Sequence, residues 1–391
     1  MSKPAVKPAL MSFFVPDPVS LAQDLIRCPS VTPADEGAQQ CLIDALTPLG
    51  FSCTILPFGE ISNLFARLGS GAPHFCFCGH TDVVPVGDQT AWAMPPFSAT
   101  IRDGLLYGRG AADMKSNIAC FVAAVGRYLD AHGLPDGSIS LLITGDEEGL
   151  AVDGTVKVLE WMRDHGQIPD HALVGEPSNP LKMGDEIKIG RRGSVTGRLS
   201  VTGKQGHVAY PALADNPLPR MITLLSALTA HCFDQGSEFF AATNLEVTTI
   251  DTGNMADNVI PAKVTAQFNV RFNDRWSAAS IEEKIREILD SYHVAYDLSC
   301  RSTAESFMTT PGDFTDLVAE SVARITGRKP SLSTAGGTSD ARFVQAYCPV
   351  VEYGLVNKTI HQVDEHCALA DIESLTTTYQ DILERYFQPV G

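Results

Sequence analysis

The chain is expected to fold as a doubly wound α/β catalytic domain with a mostly parallel sheet, into which a smaller α+β domain is inserted. Three observations predict this. Short apolar runs alternate with amphipathic helical stretches in the first half, long alternating strands replace them from about Arg192, and the α/β character returns after Phe307. The boundaries fall at residues 1–192 and 306–391 for the first domain and 193–305 for the inserted one.

In chain order, Asp17-Pro18 followed by VSLAQDLIRC reads as an N-cap, a first-turn proline and an amphipathic helix. EGAQQCLIDALTPLG is a second helix that stops at Gly50. The runs NLFARLG, HFCFCG, SISLLITG and HALVG are β-rich and apolar enough to be buried strands. Between them KSNIACFVAAVGRYLDAHG and TVKVLEWMRDHG carry helical spacing. The inserted segment reads as SVTGRLSVTG, a helix near 215–231, LEVTTIDTG, VIPAKVTAQFNVRF, a helix near 277–290 and HVAYDLSC. The return brings FTDLVAESVARITG, GGTSDARFVQAY, PVVEYG and a last helix, IESLTTTYQDILERYF.

Composition narrows the function. With 391 residues, 44% of them hydrophobic and 19% charged, the chain can fill packed cores and lacks the profile of disorder. The balance of 29 Lys+Arg against 46 Asp+Glu, a net charge of −17, opposes the basic footprint of a nucleic-acid binder. Ten scattered cysteines, without a C-x-x-C pair, make neither a disulfide framework nor a sulfur zinc site, and Cys76 and Cys78 read as buried thiols on one strand face. The opening MSKPAVKPALMSFFVPDP has too short an apolar run for a secretory signal or a membrane span, so a cytoplasmic setting is expected. About a dozen residues before the first helix are expected to be disordered or to lie on the surface.

The informative side chains follow predicted strand ends, where open α/β sheets place their sites. HFCFCG runs into His80-Thr81-Asp82, SISLLITG into Asp146-Glu147-Glu148, and HALVG into Glu176-Pro177, while Asp113 precedes a helix it is able to cap. Each has an ordinary explanation alone, as a structural histidine, a cap or a solvated loop. Together they are a cluster of like charges that persists only if cations neutralise it. Imidazole with carboxylate and no thiolate suits zinc, cobalt or manganese. The donors exceed what one ion needs, and two ions about 3.5–4 Å apart, sharing a carboxylate, would use them all. Glu147 and Glu148, as neighbours at a strand end, are expected to point different ways, one to metal and one to water as general base. Asp82 is placed to accept the second N–H of His80.

GHTDVVP at 79–85, GRGAADMKS at 108–116, TGDEEG at 144–149, GEPS at 175–178 and TIHQVDE at 359–365 together resemble the co-catalytic zinc aminoacylase and carboxypeptidase family, whose members cleave N-acyl amino acids and peptides. The resemblance runs from Asp17 to the C-terminal helix. It implies two Zn2+ ions per subunit, with Co2+ able to substitute, bridged by Asp113. His80 and Glu176 would complete one site, and Glu148 and His361 the other. It further implies Glu147 as the base, Asp82 as the group orienting His80, and a cis peptide after Asp113. The inserted domain would mediate homodimerisation and carry His207 to the partner subunit's site to stabilise an oxyanion. Arg191, Ser194, Tyr210, Asn258, Arg271 and Thr338 would surround a small-molecule substrate, the arginines suiting carboxylates. His366, close after His361, is a second candidate ligand. Other N-acyl amino acids, acetylornithine or dipeptides remain open as substrates, as does a metal-dependent binding protein without turnover.

Overall fold

A computed structural model describes residues 13–388, so the opening stretch expected to be disordered or on the surface lies outside the described residues. The chain divides into two compact units. The first comprises the chain up to Ile189, Thr309–Leu332 and everything from Ser339; the second is Gly190–Met308 with Ser333–Thr338. The second unit therefore takes a short loop from the returning segment as well as the insertion.

The first unit is built on an eight-stranded sheet. In spatial order its strands are Ser52–Phe58, Ile61–Gly69, Ser138–Thr144, His74–His80, His171–Val174, Val350–Glu352, Glu186–Lys188 and Ser331–Ser333. The four strands from Ser138–Thr144 to Val350–Glu352 run parallel. Outside them the pairings at Ile61–Gly69 and Glu186–Lys188 are antiparallel. The parallel core is what the apolar runs led one to expect. The antiparallel margins arise because Ser52–Phe58 and Ile61–Gly69 form a hairpin joined by two residues, a connection too short for a parallel crossover.

His74–His80 and Ser138–Thr144 are buried at every position, as strands covered on both faces must be. The Lys115–His132 helix packs against Pro18–Arg27 and against Leu369–Phe387. Asp17 caps the first of these, accepting the Ser20 N–H at 2.8 Å, with Pro18 in its first turn. Phe77 stacks on Phe121 with centroids 4.3 Å apart, and Tyr379 meets both rings edge-on. Gly79 and Gly175 occupy the strand ends beside this cluster. A Cβ at either would lie 2.7 Å from Met114 Cε, so glycine allows the residue after Asp113 to seat against the sheet.

The second unit is a four-stranded antiparallel sheet in the order Asn244–Asp251, Lys263–Phe272, Gly193–Thr202 and Asp297–Ala304. One face packs Val195, Leu199, Val264, Phe268 and Val270 against Met221 and Leu224 of Leu218–Ala230 and Ile281 and Ile285 of Ala278–Asp290. Gly197 lies opposite Phe268, whose ring fills the space a side chain would need. The last strand begins at Asp297 rather than within HVAY, because His293 turns through a left-handed φ of 52°.

Candidate metal centre

Six side chains of the first unit converge. His80 ends its strand, Glu176 follows the end of His171–Val174, and Glu147 and Glu148 sit in a turn beyond Ser138–Thr144. Asp113 comes from the loop before the Lys115–His132 helix, and His361 from the turn that precedes His366–Ala368. Three groups have donor atoms within 4.8 Å of one another: His80, Asp113 and Glu176; Asp113, Glu148 and His361; and His80, Glu147 and Glu148.

Asp113 belongs to two of them through different oxygens. Its Oδ1 lies 3.2 Å from His80 Nε2, which is 3.5 Å from Glu176 Oε1. Its Oδ2 lies 3.4 Å from His361 Nε2, which is 2.9 Å from Glu148 Oε1. The peptide from Asp113 to Met114 is cis. Asp113 does not cap the following helix, whose N-cap is Met114; its carboxylate is turned instead to the two imidazoles.

The electrostatics of the set favour added positive charge. Burial and the charge of Glu176 push Glu147 well above the usual carboxylate range. Burial pushes Asp82 up to about 6. Burial by itself would hold His80 neutral, but the bond to Asp113 and the charges of Glu176, Asp82 and Glu147 raise it well above the ordinary imidazole value. Asp113 and Glu148 raise His361 to about 10. An all-nitrogen-and-oxygen donor set that must hold extra positive charge fits one or two borderline divalent ions.

Two geometric expectations are corrected here. The His80 Nδ1 meets the main-chain carbonyl of Asp82 at 2.8 Å, with the Asp82 carboxylate farther away at 3.6 Å. That carboxylate accepts the N–H groups of Glu147 at 3.2 Å and Glu148 at 2.9 Å, so it pins the turn that presents both glutamates. Glu147 and Glu148 also do not diverge. Both reach His80, because they sit in a turn where the side-chain alternation of a strand no longer applies. Asp146 braces the same turn by accepting the N–H groups of Val152 and Asp153.

His366 lies apart from these groups. Its Nδ1 meets the carbonyl of Asp364 at 2.7 Å and its ring lies beside Tyr107.

Sequence reading passed over Glu365, Arg109 and Asp340, though all three lie inside the quoted motifs. Glu365 is fully buried and pairs with Arg109 at 2.7 Å. Asp340 is also buried, and Arg342 lies 3.6 Å away. A charged residue beside a stronger metal-ligand candidate is easy to discount as spacing; for Arg109 the usable signal was its place in the Gly- and Ala-rich run GRGAAD, and Glu365 had none of that kind.

The remaining predicted residues all belong to the second unit. His207 lies on a two-residue strand paired with Val259–Ile260, is exposed, and accepts the Ala209 N–H through Nδ1. Tyr210 is exposed beside it, with ring centroids 5.6 Å apart. Asn258 accepts the Val208 N–H through its main-chain carbonyl. Arg191 is buried and donates to the Gly337 carbonyl at 3.1 Å, fastening the loop that ends in half-buried Thr338. Ser194 Oγ accepts from Asn269 Nδ2 at 3.1 Å, and half-buried Arg271 is its partner across the strand pair.

Comparison with known proteins places the chain. The profile of peptidase family M20/M25/M40 matches residues 76–385, which takes in every residue of the metal-ligand cluster. The chain belongs to that family. Within family M20/M25/M40, a protein of Rhodospirillum centenum named succinyl-diaminopimelate desuccinylase is 55% identical over 377 residues, covering 95% of this chain and 98% of that protein. The fold is shared with an M20 family metallo-carboxypeptidase of Sulfolobus solfataricus, at a TM-score of 0.79 and 17% identity over 95% of this chain and 99% of the other. It is also shared with a dinuclear metal binding peptidase of the M20 family from Bacillus subtilis, at a TM-score of 0.67 and 16% identity over 95% and 98%. Among the described residues no helix is long and apolar enough to cross a membrane.

Proposed function

We propose that the chain hydrolyses N-succinyl-LL-2,6-diaminopimelate to succinate and LL-2,6-diaminopimelate, a step of lysine and diaminopimelate biosynthesis, as a cytoplasmic homodimer acting on a small molecule rather than on nucleic acid or membrane. The carrying observation is Asp113, which turns one carboxylate oxygen to each of two histidine-carboxylate groups. The 55% identity to a protein of that name over almost the full chain supports the substrate.

In this reading His80, Glu176 and Asp113 hold one Zn2+, and Glu148, His361 and Asp113 hold the other, with Co2+ able to replace them. When bound, the pair supplies a water of lowered pKa and an electrophile for the amide carbonyl. Glu147, inside the cluster but not needed by either ligand set, takes the water's proton and returns it to the leaving amine. Burial among carboxylates raises its proton affinity, which suits a base that must also act as an acid. Asp82 orients His80 through its carbonyl and fixes the Glu147-Glu148 turn through its carboxylate. His207 offers an imidazole N–H to the oxyanion in the partner subunit's site. Arg191, Ser194, Tyr210, Asn258, Arg271 and Thr338 bind the substrate, whose three carboxylates call for guanidinium partners.

The decisive experiment is Glu147→Ala. Metal content, read by atomic absorption, should be unchanged while kcat on the succinyl substrate falls by about 10²–10⁴-fold. Near-wild-type turnover would remove the base assignment. A kcat/KM that favours acetylornithine over the succinyl substrate would remove the substrate assignment.

A further inference from the structure

Glu365 joins the segment bearing Asp113 to the one bearing His361, and it does so through main-chain groups of the Asp113 loop. Its Oε1 accepts the N–H groups of Ala112 at 2.9 Å and Asp113 at 3.1 Å. Its Oε2 accepts the Gly110 N–H at 3.2 Å and Arg109 Nη1 at 2.7 Å. Four donors on one fully buried carboxylate leave it little freedom, and three of them are main-chain groups of the loop that ends in Asp113. Such a ring of N–H groups around an anion fixes a loop much as an anion-binding nest does. The fit depends on Gly110, whose φ of +85° is the left-handed conformation that glycine adopts without strain.

Glu365 also lies in the turn that carries His361. That turn is closed by Thr359 Oγ1, which donates to the His366 carbonyl at 2.7 Å and accepts the His366 N–H at 3.2 Å. His361 and Asp364 within it have φ of 60° and 57°, backbone that side-chain-bearing residues seldom adopt. Asp364 Oδ1 accepts the Ala93 N–H at 2.8 Å, a second attachment of the same turn, between His361 and Glu365. Arg109 reinforces the junction. Besides Glu365, it donates to the Gln362 carbonyl at 3.3 Å and lies over the Trp92 ring. The pair, 256 positions apart, therefore joins the segment bearing Asp113 to the one bearing His361.

We propose that Glu365 is a positioning residue that sets the distance between Asp113 and His361, and so governs occupancy of the second metal position selectively. The inference rests on the two-ion reading above. The first position shares Asp113 but takes its other two ligands, His80 at a strand end and Glu176 beside the next strand, from segments to which Glu365 is not bonded, whereas the second takes both Asp113 and His361 from the segments Glu365 joins. The second depends on His361, whose turn has Glu365 as its buried anchor.

The test is a calorimetric titration of metal-free protein with Co2+, together with the visible absorption of the bound cobalt. Wild type should take up two ions. Glu365→Gln retains the shape, but its amide turns an NH2 toward two of the four donors. It should bind the first ion within about threefold of wild type, bind the second at least tenfold more weakly, and show an altered cobalt spectrum at full loading. Arg109→Lys, which leaves the three main-chain bonds intact, should weaken the second ion by about threefold and decides the matter if Glu365→Gln does not fold. Equal weakening of both ions, or wild-type binding of both with an unchanged spectrum, would overturn the inference while leaving the two-ion centre standing. A wild-type chain that binds fewer than two ions would instead remove the two-ion reading, and the inference with it.

Discussion

In the first unit His74–His80 and Ser138–Thr144 are buried at every position, whereas in the second Lys263–Phe272 alternates buried residues with exposed or half-buried ones. The two sheets consequently handle polar groups in different ways. A sheet covered on both faces can present chemistry only where its strands end, and there the first unit collects six ionisable side chains in a small volume. A sheet covered on one face leaves the other free, and the second unit carries Ser194, Thr196, Asn269 and Arg271 along that face. Concentrated charge needs counter-ions; distributed polar groups suit the recognition of an extended solute.

The contrast predicts, first, that stripping metal acts on one unit alone. A chelator should lower the stability of the first unit by about 4 kcal/mol for each bound ion that is normally present near a thousandfold above its dissociation constant. Hydrogen exchange should show the loss in the strands around His80 and leave Lys263–Phe272 protected. Uniform deprotection of both sheets would break the distinction.

A second effect comes from a buried histidine away from the metal centre. Burial first, then the charge of Arg67, lowers His74 to about 4 from an ordinary 6.5. Because the folded state holds its proton less tightly than the unfolded state, the stability present above pH 6.5 is lost as pH falls toward 4, by about 3 kcal/mol. Urea unfolding of chelated His74→Asn and wild type at pH 7 and pH 4.5 should show the wild type losing more of its stability. Equal losses would assign the acid sensitivity elsewhere.

In the second unit the largest expected effect is on substrate. Arg271→Met should cut kcat/KM by about 10- to 150-fold, the value of about 1.5–3 kcal/mol for a hydrogen bond to a charged group, mainly through KM. A change in metal content would blur the division of labour between units. Smallest of all, Arg127→Ala removes a bidentate surface pair with Glu373 at 2.7 and 2.8 Å, and should move the thermal midpoint only by the equivalent of less than about 1 kcal/mol.

Much of this was legible in the sequence because local signals agreed with the fold. Asp17-Pro18 announced the first helix, and the strand runs ended where the carboxylates and His80 began. The alternation in VTAQFNVRF marked a one-sided strand. What escaped depended on contacts between distant segments. No spacing rule connects Arg109 to Glu365, and nothing near Asp82 says that its carboxylate holds the main chain of residues more than sixty positions later. Alternation also failed at Glu147-Glu148, since it holds only while the strand lasts. The loop Ser333–Thr338 joins the second unit because Arg191 donates to its carbonyls, again a pairing without local signature.

The order of segments along the chain has a consequence for synthesis. All four long strands of the inserted unit, ending at Ala304, leave the ribosome before Val350–Glu352, which lies inside the sheet of the first unit and pairs with strands on both sides. His361 and Glu365 emerge later still. A nascent chain halted between Thr338 and Val350 carries every segment of the second unit, an unfinished host sheet and an acidic cluster lacking one of its two histidines. Premature termination in that window would give a product that an antibody against the insertion still detects yet that lacks one histidine of the metal-ligand cluster.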